Sequence, residues 1–78
     1  MDYVVNLHVD VGVEGAYAVA SMECPSGVFK GEGRAKIGKS EGNQHISGDL
    51  ASARALRAVE ADLMEHVHER IDRCTDTP

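Results

Sequence analysis

The stretch DLASARALRAVEADLMEHVHERIDR, residues 49–73, is the one long helical pattern in this chain of 78 residues. Its apolar residues recur every three or four positions, a spacing that places side chains on one stripe of an α-helix. The stripe comprises Leu50, Ala53, Leu56, Val59, Leu63, Val67 and Ile71. Because a single amphipathic helix is only marginally stable in water, we expect this stripe to pack against the rest of the chain.

Two residues predict how this helix begins. The side chain of Asp49 can accept hydrogen bonds from the free N–H groups of a first turn, so we expect it to be the N-cap. Ile46 precedes it and is placed to contact the first turns as a hydrophobic staple. The sequence therefore predicts a helix over about residues 49–73 and a tail over residues 74–78.

Three segments before the helix alternate in a way typical of β-strands, at about residues 3–11, 16–22 and 28–37. In the first segment, Tyr3, Val5, Leu7, Val9 and Val11 form the face that we expect to be buried. In the second, periodicity alone leaves both faces open, although small alanines favour the face of Ala16, Ala18, Ala20 and Met22. In the third, Phe29, Gly31, Gly33, Ala35 and Ile37 form the face expected under the helix.

Turn residues separate these segments, at Gly12–Gly15, at Glu23–Gly27 and in the polar stretch of residues 38–47. The order β-β-β-α satisfies both apolar patterns when an antiparallel meander is covered on one face by the helix. The chain is therefore predicted to be a single α+β domain of two layers over residues 1–78.

This arrangement leaves two surfaces for partners. One is the open face of the sheet, where Lys30, Glu32, Arg34 and Lys36 share one side of the third strand. We also expect His8 to join its basic residues if the first and third strands are neighbours. The other is the late helix, where Leu63, Val67 and Ile71 are expected to extend past the end of the sheet. A small domain commonly covers such apolar residues by self-association.

Composition lowers the expectation for several classes of function. The net charge of −5 and the pI near 5.2 do not attract phosphate backbones, and 4% aromatic residues provide no base-stacking platform. No apolar run approaches the length of a membrane span. The N-terminal MDYVVNLHVD contains an acid and no basic leader, and Cys24 and Cys74 show no pairing pattern. We therefore expect a cytoplasmic protein that does not bind membranes, with nucleic acid an improbable partner.

No pattern predicts catalysis, a cofactor or a metal. His66 and His68 are two residues apart on the helix, so they point in different directions and cannot chelate one ion together. The Gly31-Glu32-Gly33 sequence lies inside a strand, whereas a phosphate loop lies between a strand and a helix. Serines and cysteines have no histidine and acid partners at diagnostic spacing. We expect a protein without enzymatic activity.

The sequences GEGRAKIG and ISGDLASARALRAVEADLMEHVHERID resemble a small actinobacterial domain-of-unknown-function family. The family's G-x-G-x-A motif falls on Gly31, Gly33 and Ala35. Its G-D-[ED]-L-A-x-A-R-A-L motif falls on residues 48–56 with one acid missing. The resemblance extends from Tyr3 to Ile71 and implies a β-β-β-α fold like that of double-stranded-RNA-binding domains, without implying an activity.

A second, more limited resemblance is to HicB-like antitoxins. The matching residues are Met1, Tyr3, Asp10, Gly15, Tyr17 and Val19. The family's Pro-Gly-Cys turn is reduced to residues 24–27, its helix entry is reduced to Gly48-Asp49, and no DNA-binding tail follows. The sequence therefore favours a homodimeric protein-interaction module, with an unidentified protein partner. The alternative is an antitoxin-like or nucleic-acid-associated regulator that uses Lys30, Arg34 and Lys36.

Overall fold

The computed structural model describes residues 1–36 and 44–75, and within the helix it describes the side chains of residues 46–72. The elements are β1 (Val4–Val11), β2 (Gly15–Cys24), β3 (Gly27–Lys36) and α1 (Gln44–Thr75). The strands form one antiparallel sheet in the order β1-β2-β3. The predicted α+β meander with one C-terminal helix is confirmed. Ile37, residues 38–43 of the predicted loop over residues 38–47, residues 76–78 of the predicted tail and the side chain of Cys74 lie outside this description. Residues 44–47 of that loop and residues 74–75 of that tail belong to the helix instead.

Two short connections set the register of the sheet. The N–H of Gly12 donates to the carbonyl oxygen of Gly15 at 2.8 Å, which closes the first hairpin. In the second hairpin, Cys24 pairs with Gly27, so Pro25 and Ser26 form a two-residue loop. Residues directly opposite in antiparallel strands share a face, so these two turns align the apolar sets of all three strands.

The helix packs on the alanine face of β2, as the small residues predicted. Ala18 and Ala20 are fully buried, and Ala16 is 7% exposed. On β3 the predicted set is confirmed as well, because Phe29 and Ala35 are buried. Only alanine side chains are completely buried among the described residues. The layer between sheet and helix is therefore thin.

Two glycines of β3 bring the helix backbone unusually close to the sheet. A Cβ atom on Gly31 would lie 2.5 Å from the carbonyl oxygen of Ala55 and 2.6 Å from the amide nitrogen of Val59. A Cβ atom on Gly33 would collide with the backbone of Ala51 and Ala55 in the same way. At this separation only small helix side chains fit over the sheet.

The predicted apolar stripe is therefore wrong about which side of the helix is buried. The buried helix residues are Ala51 and Ala55 at 0% exposure and Val59 at 6%. Leu50 and Leu56 are 38% and 41% exposed, and Ala53 is exposed as well. The large side chains of the stripe cannot enter a layer that admits alanine, so the alanine face turns toward the sheet. Val59 and the half-buried Leu63 are the stripe members that contact the core.

The predicted helix start is also wrong. The helix begins at Gln44, so Asp49 lies inside it and is exposed instead of capping it. Ile46 is helical and 52% exposed, so it is not a staple. Gly48, which directly precedes the predicted start, is part of the helix as well. A Cβ atom there would lie 3.2 Å from Cγ2 of Val11, so the glycine allows a close approach to β1.

Candidate functional site

The helix covers β2 and β3 and leaves the same face of β1 largely uncovered. Tyr3, Val5, Leu7 and Val11 were predicted to be buried, and this is wrong: they are 61%, 54%, 44% and 46% exposed. The register of Val5, Leu7 and Val11 with Met22, Ala20 and Ala16 places them on the helix side of the sheet. Val11 approaches the helix at Gly48, but its side chain remains half-exposed. Val9 alone among the described β1 residues packs against the core.

One flank of the helix borders this uncovered face. Arg54 and Ala58 lie toward the outer edge of β3, because their Cβ atoms approach Gly33 and Gly31. Leu56, Leu63 and Val67 lie on the opposite flank by the 3.6-residue period, and thus toward β1. Leu56 and Val67 are 41% and 36% exposed. We call the exposed set the apolar strip: Val5, Leu7, Val11, Leu56 and Val67.

The two edges of the sheet differ in how they are protected. On β3, the exposed side chains of Lys30, Glu32, Arg34 and Lys36 place charges along the strand. The carbonyl oxygen of Arg34 also accepts a hydrogen bond from Nη1 of Arg54 at 2.6 Å. Charged side chains and covered backbone groups are devices that prevent edge pairing. The segment Val4–Val11 of β1 contains no lysine, arginine or proline, and Asp10 is its one acidic residue, so it has fewer of these devices than β3.

The open face of the sheet carries the predicted charged residues on β3, and Tyr17 of β2 connects two of them. The Tyr17 hydroxyl donates a hydrogen bond to Oε1 of Glu32 at 2.5 Å. The guanidinium of Arg34 lies 4.9 Å from the centre of the Tyr17 ring, within cation–π range. The structure therefore joins Glu32 and Arg34 in one cluster, and the sequence reading missed Tyr17 as its centre.

This cluster makes a prediction about pH. The hydrogen bond to Glu32 is the main cause that raises the pKa of Tyr17 above its ordinary value of 10.0. A raised pKa in the folded state means that the interaction stabilises the fold below pH 10.0 and is lost as the pH rises through the raised value. In a Tyr3→Phe background, where Tyr17 is the only tyrosine, we expect Glu32→Ala to lower the pKa measured by tyrosinate absorbance. Glu23→Ala removes an exposed acid elsewhere on the sheet and is expected to leave the titration unchanged; equal titrations for both variants would contradict the assignment.

His8 does not join the basic residues of β3. The first and third strands are opposite edges of the sheet, separated by β2, so the expected grouping of His8 with Lys30, Arg34 and Lys36 is wrong. Nε2 of His8 instead lies 3.2 Å from Oδ1 of Asp10 on its own strand. Both side chains are strongly exposed, so this pair contributes little to stability.

The late helix residues are exposed for a reason other than the predicted overhang. Nη1 of Arg70 donates to the hydroxyl oxygen of Ser26 in the β2–β3 hairpin at 3.0 Å, so the helix is still beside the sheet at this point. Leu63 is half-buried against the core, whereas Val67 and Ile71 are exposed. Val67 is exposed because of its angular position on the helix.

His66 of the helix lies at the edge of the core, where its ring contacts Phe29. The rings of His66 and Phe29 have centroids 5.2 Å apart and are tilted by 55°.

Within the described residues, no three His, Cys, Asp or Glu side chains are grouped closely enough to hold a metal ion. In the same part of the chain, no helix combines the length and the hydropathy needed to cross a bilayer.

Comparison with known proteins yields no match to a family model, to a curated protein or to a solved structure. The resemblances to the actinobacterial family and to HicB-like antitoxins therefore stay predictions. The apolar strip and the β1 edge are the described features that indicate a function.

Proposed function

We propose that this protein is a non-enzymatic interaction module of the cytoplasm that associates with a second copy of itself. The observation that carries the proposal is the apolar strip, part of which lies on an edge strand without lysine, arginine or proline. Contiguous exposed apolar surface of this kind typically marks a protein–protein contact. The two cysteines of the sequence show no pairing pattern, which supports a reducing compartment.

A second copy of the chain is the partner that is always present at the concentration of the protein itself. Self-association is therefore the simplest way to cover the apolar strip.

A nucleic-acid-associated or antitoxin-like role is the second candidate. The observation in its favour is a basic corner, where Arg34, Lys36 and Arg54 line one shallow depression at the end of β3. Against it, Glu32 lies among the basic residues and Arg34 is already engaged with Tyr17. The net charge of −5 further disfavours a polyanion as partner.

A charge placed in the apolar strip tests the proposal. Sedimentation equilibrium of the wild-type chain is expected to show a concentration-dependent dimer. Leu7→Lys is expected to weaken this dimer about a hundredfold, because the contact would have to bury an unpaired ammonium group. Val28→Lys places the same charge on an exposed position of β3 and is expected to leave the dimer unchanged.

Two results would contradict the proposal. One is a wild-type chain that remains monomeric up to its solubility limit. The other is a dimer that Val28→Lys weakens as much as Leu7→Lys does. Circular dichroism of both variants at low concentration checks that each one folds, so that a loss of association is not a loss of structure.

A further inference from the structure

We propose, building on self-association as the proposed function, that two copies join edge to edge through β1. The pairing is antiparallel, and its two-fold axis passes beside His8. The result is one six-stranded sheet that carries both helices on the same face. The proposal rests on the backbone geometry of β1, on its side-chain pattern and on the protection of the other edge.

The backbone of β1 has one set of residues whose hydrogen-bonding groups point away from the sheet. The Gly12 N–H donates to the Gly15 carbonyl, and from that pair inward the ladder alternates between bonded and non-bonded pairs. Even-numbered residues of β1 therefore bond to β2. The odd-numbered residues turn their N–H and C=O groups outward: Val5, Leu7, Val9 and Val11.

The same odd-numbered residues carry the apolar side chains on the helix side. In an antiparallel pair, opposing residues share both their bonding type and their face. Pairing of two β1 strands by their outward groups thus places odd residues opposite odd residues. The apolar faces of both copies then lie on the same side, and the apolar strip of one copy continues into that of the other. An odd residue opposite an even residue would share neither its bonding type nor its face with its partner. Registers that pair odd with even residues are therefore excluded.

Two registers place odd residues opposite odd residues with the two-fold axis near the middle of the strand. Centring the axis on His8 pairs Val5 with Val11 of the second copy and Leu7 with Val9, so all four outward residues are used. This gives about eight backbone hydrogen bonds across the seam. Centring it on Leu7 leaves Val11 opposite Tyr3, which lies outside the strand. The structure therefore favours the register centred on His8.

The charges on β1 are compatible with a second copy in this register. Asp10 is the only acidic residue of the strand, and it would lie opposite Asn6 of the second copy instead of another carboxylate. Two carboxylates directly opposite each other are thereby avoided. An edge of the β3 type, with its alternating charges and its carbonyl contact to Arg54, would not pair with β1 in this way. The occupant that fits the β1 edge is another β1.

Single cysteines test the register, because a symmetric disulfide forms only where a residue faces its own copy. In a Cys24→Ala, Cys74→Ala background, we expect His8→Cys to form a disulfide-linked dimer under mild oxidation. Residues in a non-hydrogen-bonded antiparallel pair have Cα atoms about 4.5 Å apart, within the range that a disulfide spans. Asn6→Cys lies on the same face of the same strand and is the matched control. We expect its yield of linked dimer to be at least tenfold lower.

Three results would overturn the inference. Leu7→Cys linking in place of His8→Cys would show the other register. Equal linking of Asn6→Cys and His8→Cys would show random collision. A dimer by sedimentation in which neither His8→Cys nor Leu7→Cys links would show that β1 is not the seam, while self-association itself would stand. A chain that is monomeric throughout would remove both proposals.

Amide hydrogen exchange of the unmodified chain gives a second measurement that needs no variant. Above the dimerisation midpoint we expect the amides of Val5, Leu7, Val9 and Val11 to exchange at least tenfold more slowly than below it. The amides of Asn6 and His8 bond to β2 in either state and serve as the internal reference. Odd-numbered amides whose exchange is independent of concentration would contradict edge pairing.

Discussion

Gly31→Ala is expected to lower the free energy of unfolding by about 3 kcal/mol, the upper part of the range for overpacked sites. The added methyl group would lie 2.5 Å from the carbonyl oxygen of Ala55 and 2.6 Å from the amide nitrogen of Val59. Both atoms belong to the helix backbone, so no side-chain rotation relieves the collision and the helix has to move away from the sheet. Alanine also favours the strand over glycine by only about 0.5–1 kcal/mol, which does not offset this loss. Chemical denaturation followed by circular dichroism measures the change.

The control for this substitution is Gly12→Ala. At Gly12 the nearest heavy atom to an added Cβ would be the carbonyl oxygen of Gly15 at 3.8 Å, an ordinary contact. We expect the two variants to differ by more than 2 kcal/mol in unfolding free energy, as an order of magnitude for one clash of this kind. A Gly31→Ala variant as stable as the wild-type chain would show that the helix does not lie against β3 at this distance.

Ala55→Asp is expected to have the second large effect, a loss of about 3 kcal/mol or more, because it buries a carboxylate in a layer without room for water. Ala55 of the helix is fully buried against the sheet. Ala53→Asp makes the same chemical change two residues earlier, at a position that is exposed. Its cost is expected to be the difference in helix propensity alone, about 0.5–0.7 kcal/mol.

This pair of variants decides which side of the helix faces the sheet. The apolar stripe in the sequence includes Ala53 and omits Ala55, whereas the structure buries Ala55 and exposes Ala53. Thermal or chemical denaturation of the two variants at the same protein concentration gives the answer. A larger loss for Ala53→Asp than for Ala55→Asp would favour the stripe and contradict the packing described above.

The elements and their order could be predicted from the sequence. Alternation of apolar and polar residues indicates three strands, and the turn residues at Gly12–Gly15 and Pro25-Ser26 indicate two hairpins. The predicted strands differ from the observed ones by one or two residues at their ends, apart from the undescribed end of the third. The start of the helix was predicted five residues late, because Asp49 and Gly48 look like a cap in isolation. Inside the fold, Gly48 is helical where the helix passes close to Val11.

The candidate site could be predicted only in part. The charged row on β3 follows from alternation and is exposed as expected. The apolar strip does not follow, because one apolar residue at every second position looks the same whether a helix covers it or not. The available signal was the contrast between β1, which lacks lysine and arginine, and β3, which alternates charges. This contrast indicates an unprotected edge only when the strand order is known, because that order places β1 and β3 at opposite edges of the sheet.

The sequence by itself determined the β-β-β-α order and the buried face of β3, because periodicity and turn chemistry act over short distances along the chain. For β2 it only favoured the alanine face. Only the tertiary structure decided which side of the helix is buried and that β1 stays uncovered. The physical reason is the close approach at Gly31 and Gly33, which lets the helix backbone lie almost on the sheet. At that separation alanine fits on the buried side of the helix and leucine does not. The larger apolar side chains therefore stay exposed, on a surface that a partner can cover.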